Sequence, residues 1–298
     1  MKVLKPVKFV QSMLLSSTAT DSTPTYNAGT TYAKDKLVQY QGDIYISLVA
    51  SNTGKTPGAA GSEANWLIKG PNNVYAMFDK QVSTQTTTTS PLTVVFSPGV
   101  VIDSLALVNL SSAITVKVDV LDKPGGVNVF SKTYSLDGTI ITDWFEYFFE
   151  PYDLSTELIV QGIPLYSTSV ISLEISSGGS VAIGNLSFGS IYKLGNTTYG
   201  SSVGIRDYSI KETDAFGNTS FVQRPFSRRG NFNLDIPKSD LNKVSKILED
   251  IRTTPVVWVA TDEDAYQFST IFGYYKDYNI EIIHPSYSTC SLEIEGLI

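Results

Sequence analysis

The chain has 298 residues and a formal net charge of -7, which argues against the basic surface expected of a general nucleic-acid binder. Hydrophobic residues make up 42% and charged residues only 17%, so the polar surface must consist largely of Ser, Thr, Asn and Gly, as is typical of β-rich extracellular or virion proteins. A single cysteine, Cys290, excludes an internal disulfide, and a single histidine, His284, removes most metal-binding and His-dependent catalytic arrangements. This length suggests two domains, or three if one is small.

Residues 1–25 have the composition of an N-terminal arm. A short apolar patch at 9–15 precedes a Ser/Thr-rich stretch, and such a segment buries little by itself. Gln11 and Ser12 interrupt the apolar run that a secretory signal needs, and no apolar run elsewhere reaches the roughly 18 residues of a membrane span. We expect an arm that lies along another surface or on a partner, and no membrane span.

Residues 26–70 predict a small β module. Two short strands with period-two patterning, Leu37–Tyr40 and Ile44–Val49, are separated by a glycine turn. A core of this size depends on a few large aromatic residues, here Tyr32, Tyr45 and Trp66.

The module carries a recurring order of residues: Tyr32, Leu37-Val38, Gly42-Asp43-Ile44-Tyr45, Pro57 and Trp66. This order resembles the small chitin-binding type of carbohydrate-binding module, over 45 residues of the chain. In that family exposed aromatic faces stack on sugar rings, which implies Tyr26, Tyr40 and Trp66 as glycan-binding candidates. Packing of these rings inside the module or at a protein interface is the alternative.

Residues 71–192 predict an antiparallel β-sandwich. The turn sequence Gly-Pro-Asn-Asn at 70–73 marks the boundary, and short strands separated by Gly and Pro turns are typical of sandwiches. The predicted strands are 92–96, 100–110, 114–121, 127–134, 158–160, 169–175 and 181–184. In the third strand the alternation places one face in the core, formed by Ile114, Val116, Val118 and Val120.

The run from Trp144 to Phe149 is unusually aromatic. Core or inter-sheet packing is the favoured interpretation, because most such rings are buried for their area. An exposed sugar or protein contact is the alternative.

Residues 193–298 predict an α+β docking domain. Ser239 is placed to cap a helix through Arg252 with one apolar stripe, and a second short helix is expected around 264–272. The predicted strands are 255–260, 280–283 and 291–295. The fold class as a whole is therefore mainly β, with a small N-terminal β module, a central antiparallel sandwich and a C-terminal α+β domain.

The stretch 195–232 predicts a hairpin suited to docking. Segments 205–209 and 221–225 flank 214–218, where Gly217-Asn218 tolerates the positive φ of a tight turn. Arginines cluster here on an acidic chain, and the protein-interface candidates are Arg206, Arg224, Arg228 and Arg229. A basic cluster of this kind usually has an acidic neighbour on a partner or within its own fold.

No set of residues predicts catalysis. The acidic triplet 262–264 suits a helix N-terminus, and the spacing of Asp207 and Asp214 does not distinguish glycosidase carboxylates from ordinary hairpin residues. His284 has no nucleophile motif near it. We expect no enzyme activity, no metal site and no cofactor.

Further motifs extend over nearly the full length: 14–19 (LLSSTA), 70–79 (GPNNVYAMFD), 194–200 (LGNTTYG), 205–209 (IRDYS), 214–218 (DAFGN) and 291–297 (SLEIEGL). Together they resemble structural proteins of tailed-bacteriophage virions. The resemblance implies a non-enzymatic adaptor of the tail, baseplate or collar, located in the virion and present in several copies. Its implied partners are other virion proteins, copies of itself and, through the N-terminal module, host cell-surface polysaccharide. A host-surface glycan-binding protein is the alternative function, and no nucleic-acid partner is expected.

Overall fold

A computed structural model describes residues 1–138, 143–149, 153–213, 216–261 and 268–297. The fold is mainly β, as predicted, and consists of several antiparallel sheets, including a curled half-barrel, with a single helix in the C-terminal part.

The strands, numbered in chain order, are β1 Lys2–Pro6, β2 Leu14–Ser17, β3 Leu37–Tyr40, β4 Asp43–Ser47, β5 Trp66–Pro71, β6 Thr86–Thr89, β7 Leu92–Phe96, β8 Ser104–Ser111, β9 Thr115–Leu121, β10 Asn128–Ser135, β11 Glu157–Gln161, β12 Val170–Ser176, β13 Ser180–Lys193, β14 Asn196–Thr197, β15 Ser202–Asp207, β16 Ile210–Thr213, β17 Thr219–Val222, β18 Phe226–Pro237, β19 Val256–Val259, β20 Thr270–Glu281 and β21 Tyr287–Gly296. The helices are α1 Trp144–Phe149 and α2 Leu241–Asp250, and short 3₁₀ turns span Gln11–Met13 and Ala76–Phe78.

The N-terminal module has its own three-stranded sheet, β3-β4-β5. Gln41 and Gly42 have φ of 48° and 83°, so the predicted glycine turn joins β3 to β4 with the left-handed backbone that such a hairpin needs. The module also has its own small core, built on Tyr32, Val38 and Trp66.

Two sheets form the central sandwich. The five-stranded sheet β10-β9-β12-β7-β2 packs on the β11, β8 and β13 part of an eleven-stranded sheet. Phe96 of one sheet meets Phe188 of the other, with ring centroids 4.8 Å apart. The predicted strand 92–96 matches β7, and β13 is much longer than predicted.

The alternation in β9 is confirmed for three of its four core positions. Val116, Val118 and Val120 are fully buried, but Ile114 precedes the strand and is 44% exposed. The prediction that Ile114 is a core residue is therefore wrong. Period-two alternation holds only where the backbone is extended and paired, and β9 begins one residue later, at Thr115.

Residues 1–25 contribute strands to two sheets. β1 lies between β13 and β19 in the eleven-stranded sheet, and β2 closes one edge of the five-stranded sheet. Val3 and Leu4 are both fully buried although they point to opposite faces. Hydrogen bonding is therefore continuous across the predicted boundary at 192/193, because β1 joins the sandwich strands to the C-terminal strands.

In the C-terminal part, α2 covers β18 to β21 with Val244, Ile247 and Leu248. Asp240, not Ser239, is the N-cap residue, and no side-chain capping bond forms. A second helix was expected around 264–272. Residues 270–272 belong instead to β20, and residues 264–267 lie outside the described part of the chain.

The aromatic run 144–149 is a helix, not a buried strand. Its exposed fractions are 78% for Trp144, 69% for Phe145, 68% for Phe148 and 70% for Phe149. The packing interpretation is wrong, because these rings recur at i and i+4 and stack on one another along the helix surface, 144 with 148 and 145 with 149. Aromatic area alone favours burial, whereas the i, i+4 spacing of these rings places them along one surface of a helix.

Candidate protein-interaction site

The predicted docking hairpin forms a two-part projection (residues 202–229). We call this projection the arm; it is a different segment from the predicted N-terminal arm, residues 1–25. At its base β15 pairs with β18, and farther out β16 and β17 pair with each other as a separate two-stranded sheet. Gly217, near the tip, has φ of 87°, as the turn prediction requires. The outer hairpin thus extends beyond the large sheet, and no other strand among the described residues pairs with either of its edges.

Apolar side chains cover much of the arm surface. Their exposed fractions are 57% for Ile205, 92% for Phe216, 70% for Phe221, 53% for Val222 and 53% for Phe226. Single exposed apolar residues are common on proteins, but a group of them close together usually marks a surface that binds another molecule.

Two of the four interface arginines are bound to the chain's own carboxylates. Arg206 donates from Nη1 to Oε1 of Glu295 over 2.7 Å, at the base of the arm. Arg228 donates from Nη1 to Oε1 of Glu157 over 2.7 Å and to the carbonyl oxygen of Thr270 over 3.0 Å. The intramolecular alternative holds for these two residues.

The Arg228–Glu157 pair joins β18 to β11, two strands that lie far apart in the strand order of the eleven-stranded sheet. It lies beside a cavity of about 360 Å³ whose other lining includes Phe226 and Phe272. Burial raises the pKa of the Glu157 carboxyl, and the adjacent guanidinium opposes that shift. Arg228 therefore has a structural task at this junction.

Arg224 and Arg229 are different. Both side chains are exposed, and neither makes an ion pair with a carboxylate in the described part of the chain. The Arg224 backbone N–H donates to Oγ of Ser209, which holds the outer hairpin on its base. These two arginines are the ones that remain available for a partner.

The glycan-binding candidates do not form an exposed, coplanar platform. Trp66 is only 4% exposed and donates from Nε1 to the carbonyl oxygen of Lys55 over 2.7 Å. The rings of Tyr26 and Tyr40 are half-buried and inclined at 80° to one another. Tyr26 also stacks on Tyr32, with ring centroids 5.8 Å apart. Tyr26 and Tyr40 therefore form no flat aromatic face, because Tyr26 packs against the core of the module.

Sequence analysis gave exposure of the aromatic run 144–149 only as the alternative to core packing, and it did not predict the helix α1. The signal was present: aromatic residues at helical spacing lie among Asp143, Glu146, Glu150 and Asp153. Acidic residues at this density are unusual for a core strand and indicate a solvated segment.

The described residues contain no group of three or more His, Cys, Asp or Glu side chains arranged to hold a metal ion. The acidic triplet 262–264 and Asp214 lie outside them. Within the same part of the chain, no helix has both the length and the apolar character needed to cross a membrane.

No protein-family model matches this chain, and no curated protein matches it well enough to count as a relative.

Proposed function

We propose that this chain is a non-enzymatic structural protein of a tailed-bacteriophage virion, an adaptor or assembly component of the tail, baseplate or collar that acts in several copies. The observation that carries the proposal is the arm: a projecting hairpin with exposed apolar and basic side chains, on a body whose net charge is acidic. A surface of this kind is expected to be buried against other protein.

The body supports the arm in a fixed orientation. β18 carries the inner half of the hairpin and runs on for 12 residues into the large sheet, where it pairs with β21 along nearly its whole length. Arg206 and Arg228 fasten the same base to Glu295 and Glu157. An arm held at this many points presents its tip to a neighbour with little conformational entropy left to lose.

Adhesion to host glycan is not favoured as a second function. The buried Trp66 and the inclined Tyr26 and Tyr40 rings offer no flat aromatic face to a sugar. We interpret the N-terminal module as a spacer that faces away from the assembly contacts.

The test is incorporation into particles. Arg224→Glu together with Arg229→Glu reverses the two arm charges that make no ion pair with any described carboxylate, and we expect this variant to be absent from purified particles while its thermal unfolding is unchanged. Lys34→Glu with Lys36→Glu is the matched control, since it makes the same charge change at exposed positions of the N-terminal module. Incorporation of the arm variant at the control's level contradicts the proposal.

A further inference from the structure

The outer hairpin of the arm has two edges that differ in charge. One edge is β16, which contains Lys211 and Glu212, and the other is β17, whose four residues Thr219–Val222 are all uncharged and exposed. The edge of a sheet presents a row of unpaired backbone N–H and C=O groups, and natural proteins protect such edges with charged residues, proline or a bulge. β16 is protected in this way and β17 is not.

Edge strands elsewhere in the described chain carry the protection that β17 lacks. Those of five or more residues each contain a charged side chain: Lys69 in β5, Lys132 in β10, Glu157 in β11 and Arg206 in β15. β17 contains no glycine or proline and pairs with β16 in an unbroken register. Phe221 and Val222 within it are 70% and 53% exposed. We call β17 the open edge of the arm.

The outer hairpin is also an incomplete sheet. A two-stranded hairpin by itself is marginally stable in water, and three or more strands with an apolar face are needed for independent stability. β16 and β17 form a separate two-stranded sheet, held to its base by the bond from the Arg224 N–H to Oγ of Ser209 over 3.0 Å. A strand added to the open edge would pair its outward backbone groups and cover the ring of Phe221.

A second copy of β17 matches the open edge in charge. When a strand pairs antiparallel with its own copy about a two-fold axis, a register centred on Phe221 places that residue opposite itself and Ser220 opposite Val222. No charges meet in this register, because Lys211 and Glu212 lie on β16, two strand spacings or roughly 10 Å from the added strand. The same pairing along β16 would place Lys211 or Glu212 opposite itself, and like charges in directly opposite positions are destabilising.

The attachment of the arm selects the antiparallel direction. Its base, β15 and β18, lies beyond the Val222 end of β17 and belongs to the eleven-stranded sheet. Parallel pairing would bring two such bases side by side at one strand spacing, about 4.8 Å, where the sheets would collide. Antiparallel pairing places the base of each copy beside the tip of the other and so separates the two bodies.

From these observations we infer that β17 docks on β17 of a second copy of this chain, so that two outer hairpins form one four-stranded antiparallel sheet. The contact is isologous, because the same strand is used by both copies. The charged β16 strands form the outer edges of the joined sheet and oppose further addition, so the pairing ends at two copies. This inference rests on the proposed function, in which the chain acts in several copies, and it identifies the partner of the outer hairpin.

The decisive experiment places charges at residue 221 and follows association by sedimentation velocity. We expect the wild-type chain to form dimers. Phe221→Lys and Phe221→Glu are each expected to raise the dissociation constant at least about tenfold, because lysine then faces lysine and glutamate faces glutamate. An equimolar mixture of the two variants is expected to regain dimers, since lysine then faces glutamate. Recovery of this kind requires that residue 221 of one copy meets residue 221 of the other.

Tyr199→Lys and Tyr199→Glu are the matched controls. Tyr199 is a fully exposed aromatic residue outside the arm, so these variants lose a ring and gain the same charges without changing β17, and we expect them to associate like wild type. Hydrogen exchange gives a second readout, because the amides of residues 219–222 are expected to be better protected in the wild type than in Phe221→Lys. Thermal unfolding of each variant at the wild-type temperature shows that the fold is intact.

The inference is overturned by a monomeric wild-type chain, by Phe221 variants that associate like wild type, or by a mixture that stays dissociated. The proposed function fails separately, if particles incorporate Arg224→Glu/Arg229→Glu at the level of its control. If that variant is excluded from particles while the Phe221 mixture stays dissociated, the outer hairpin binds a different virion protein; the function then stands and this inference falls.

Discussion

The substitution Leu4→Ala tests whether the first residues of the chain contribute to the stability of the fold. Leu4 is fully buried on β1 and packs in a cluster formed by β1, β8, β19 and β20, with Val108, Val257 and Phe272 as neighbours. Leu4→Ala removes three carbon atoms from this cluster. Substitutions of this type at fully buried sites cost about 2–5 kcal/mol, and we expect about 3 kcal/mol here because strands on both sides hold the cavity open.

The loss is measurable by denaturant unfolding followed by tryptophan fluorescence. Trp258 is fully buried and lies opposite Val3 in the β1–β19 register, so its emission reports on this junction. At about 2.1 cal/mol/K per residue, the unfolding entropy of a chain of 298 residues is about 0.6 kcal/mol/K, so 3 kcal/mol corresponds to a fall in Tm of about 5 °C. Leu15→Ala is the control, since that side chain is 54% exposed and its removal is expected to change stability by less than about 0.5 kcal/mol. A Leu4→Ala variant as stable as Leu15→Ala refutes the reasoning.

Two further outcomes follow from buried groups. Burial raises the pKa of the Cys290 thiol to about 11, so the native protein is expected not to react with a thiol reagent at pH 8 and to take up one equivalent after unfolding; fast labelling of the native protein contradicts this. Burial likewise raises the pKa of Glu157 above its ordinary value of 4.5, so its contribution to stability is present below pH 4.5 and is lost as the pH rises through the folded-state pKa. The unfolding free energy of wild type minus that of Glu157→Gln is therefore expected to fall as the pH rises from 4 to 8. A rising or constant difference contradicts a raised pKa of Glu157 in the folded protein.

Local patterns were sufficient for the regular parts of the fold. Period-two alternation identified β7 and β9, the stripe of Val244, Ile247 and Leu248 identified α2, and glycine turns identified the two hairpins centred on Gly42 and Gly217. Each of these signals acts within about ten residues, so the sequence alone contains what is needed to recognise it.

The features that sequence analysis missed depend on distant residues. β1 has three lysines and a proline nearby and no alternation, and its place is decided by β13 and β19, which follow it by more than 180 residues. The carboxylates that bind Arg228 and Arg206 are 71 and 89 residues away along the chain. No local pattern separates an arginine with such a partner from one without, so the four arginines looked equivalent.

The same long-range pairing determines how the base of the arm is held. β18 carries one strand of the arm and pairs with β21, and Arg228 on β18 binds Glu157 of β11. β1 hydrogen-bonds to β13 on one side and to β19 on the other, so the sandwich strands and the C-terminal strands are joined by paired backbone rather than by a flexible linker. Weakening the β1 junction, as in Leu4→Ala, should therefore loosen the orientation of the arm relative to the sandwich, although the arm contains no residue of β1.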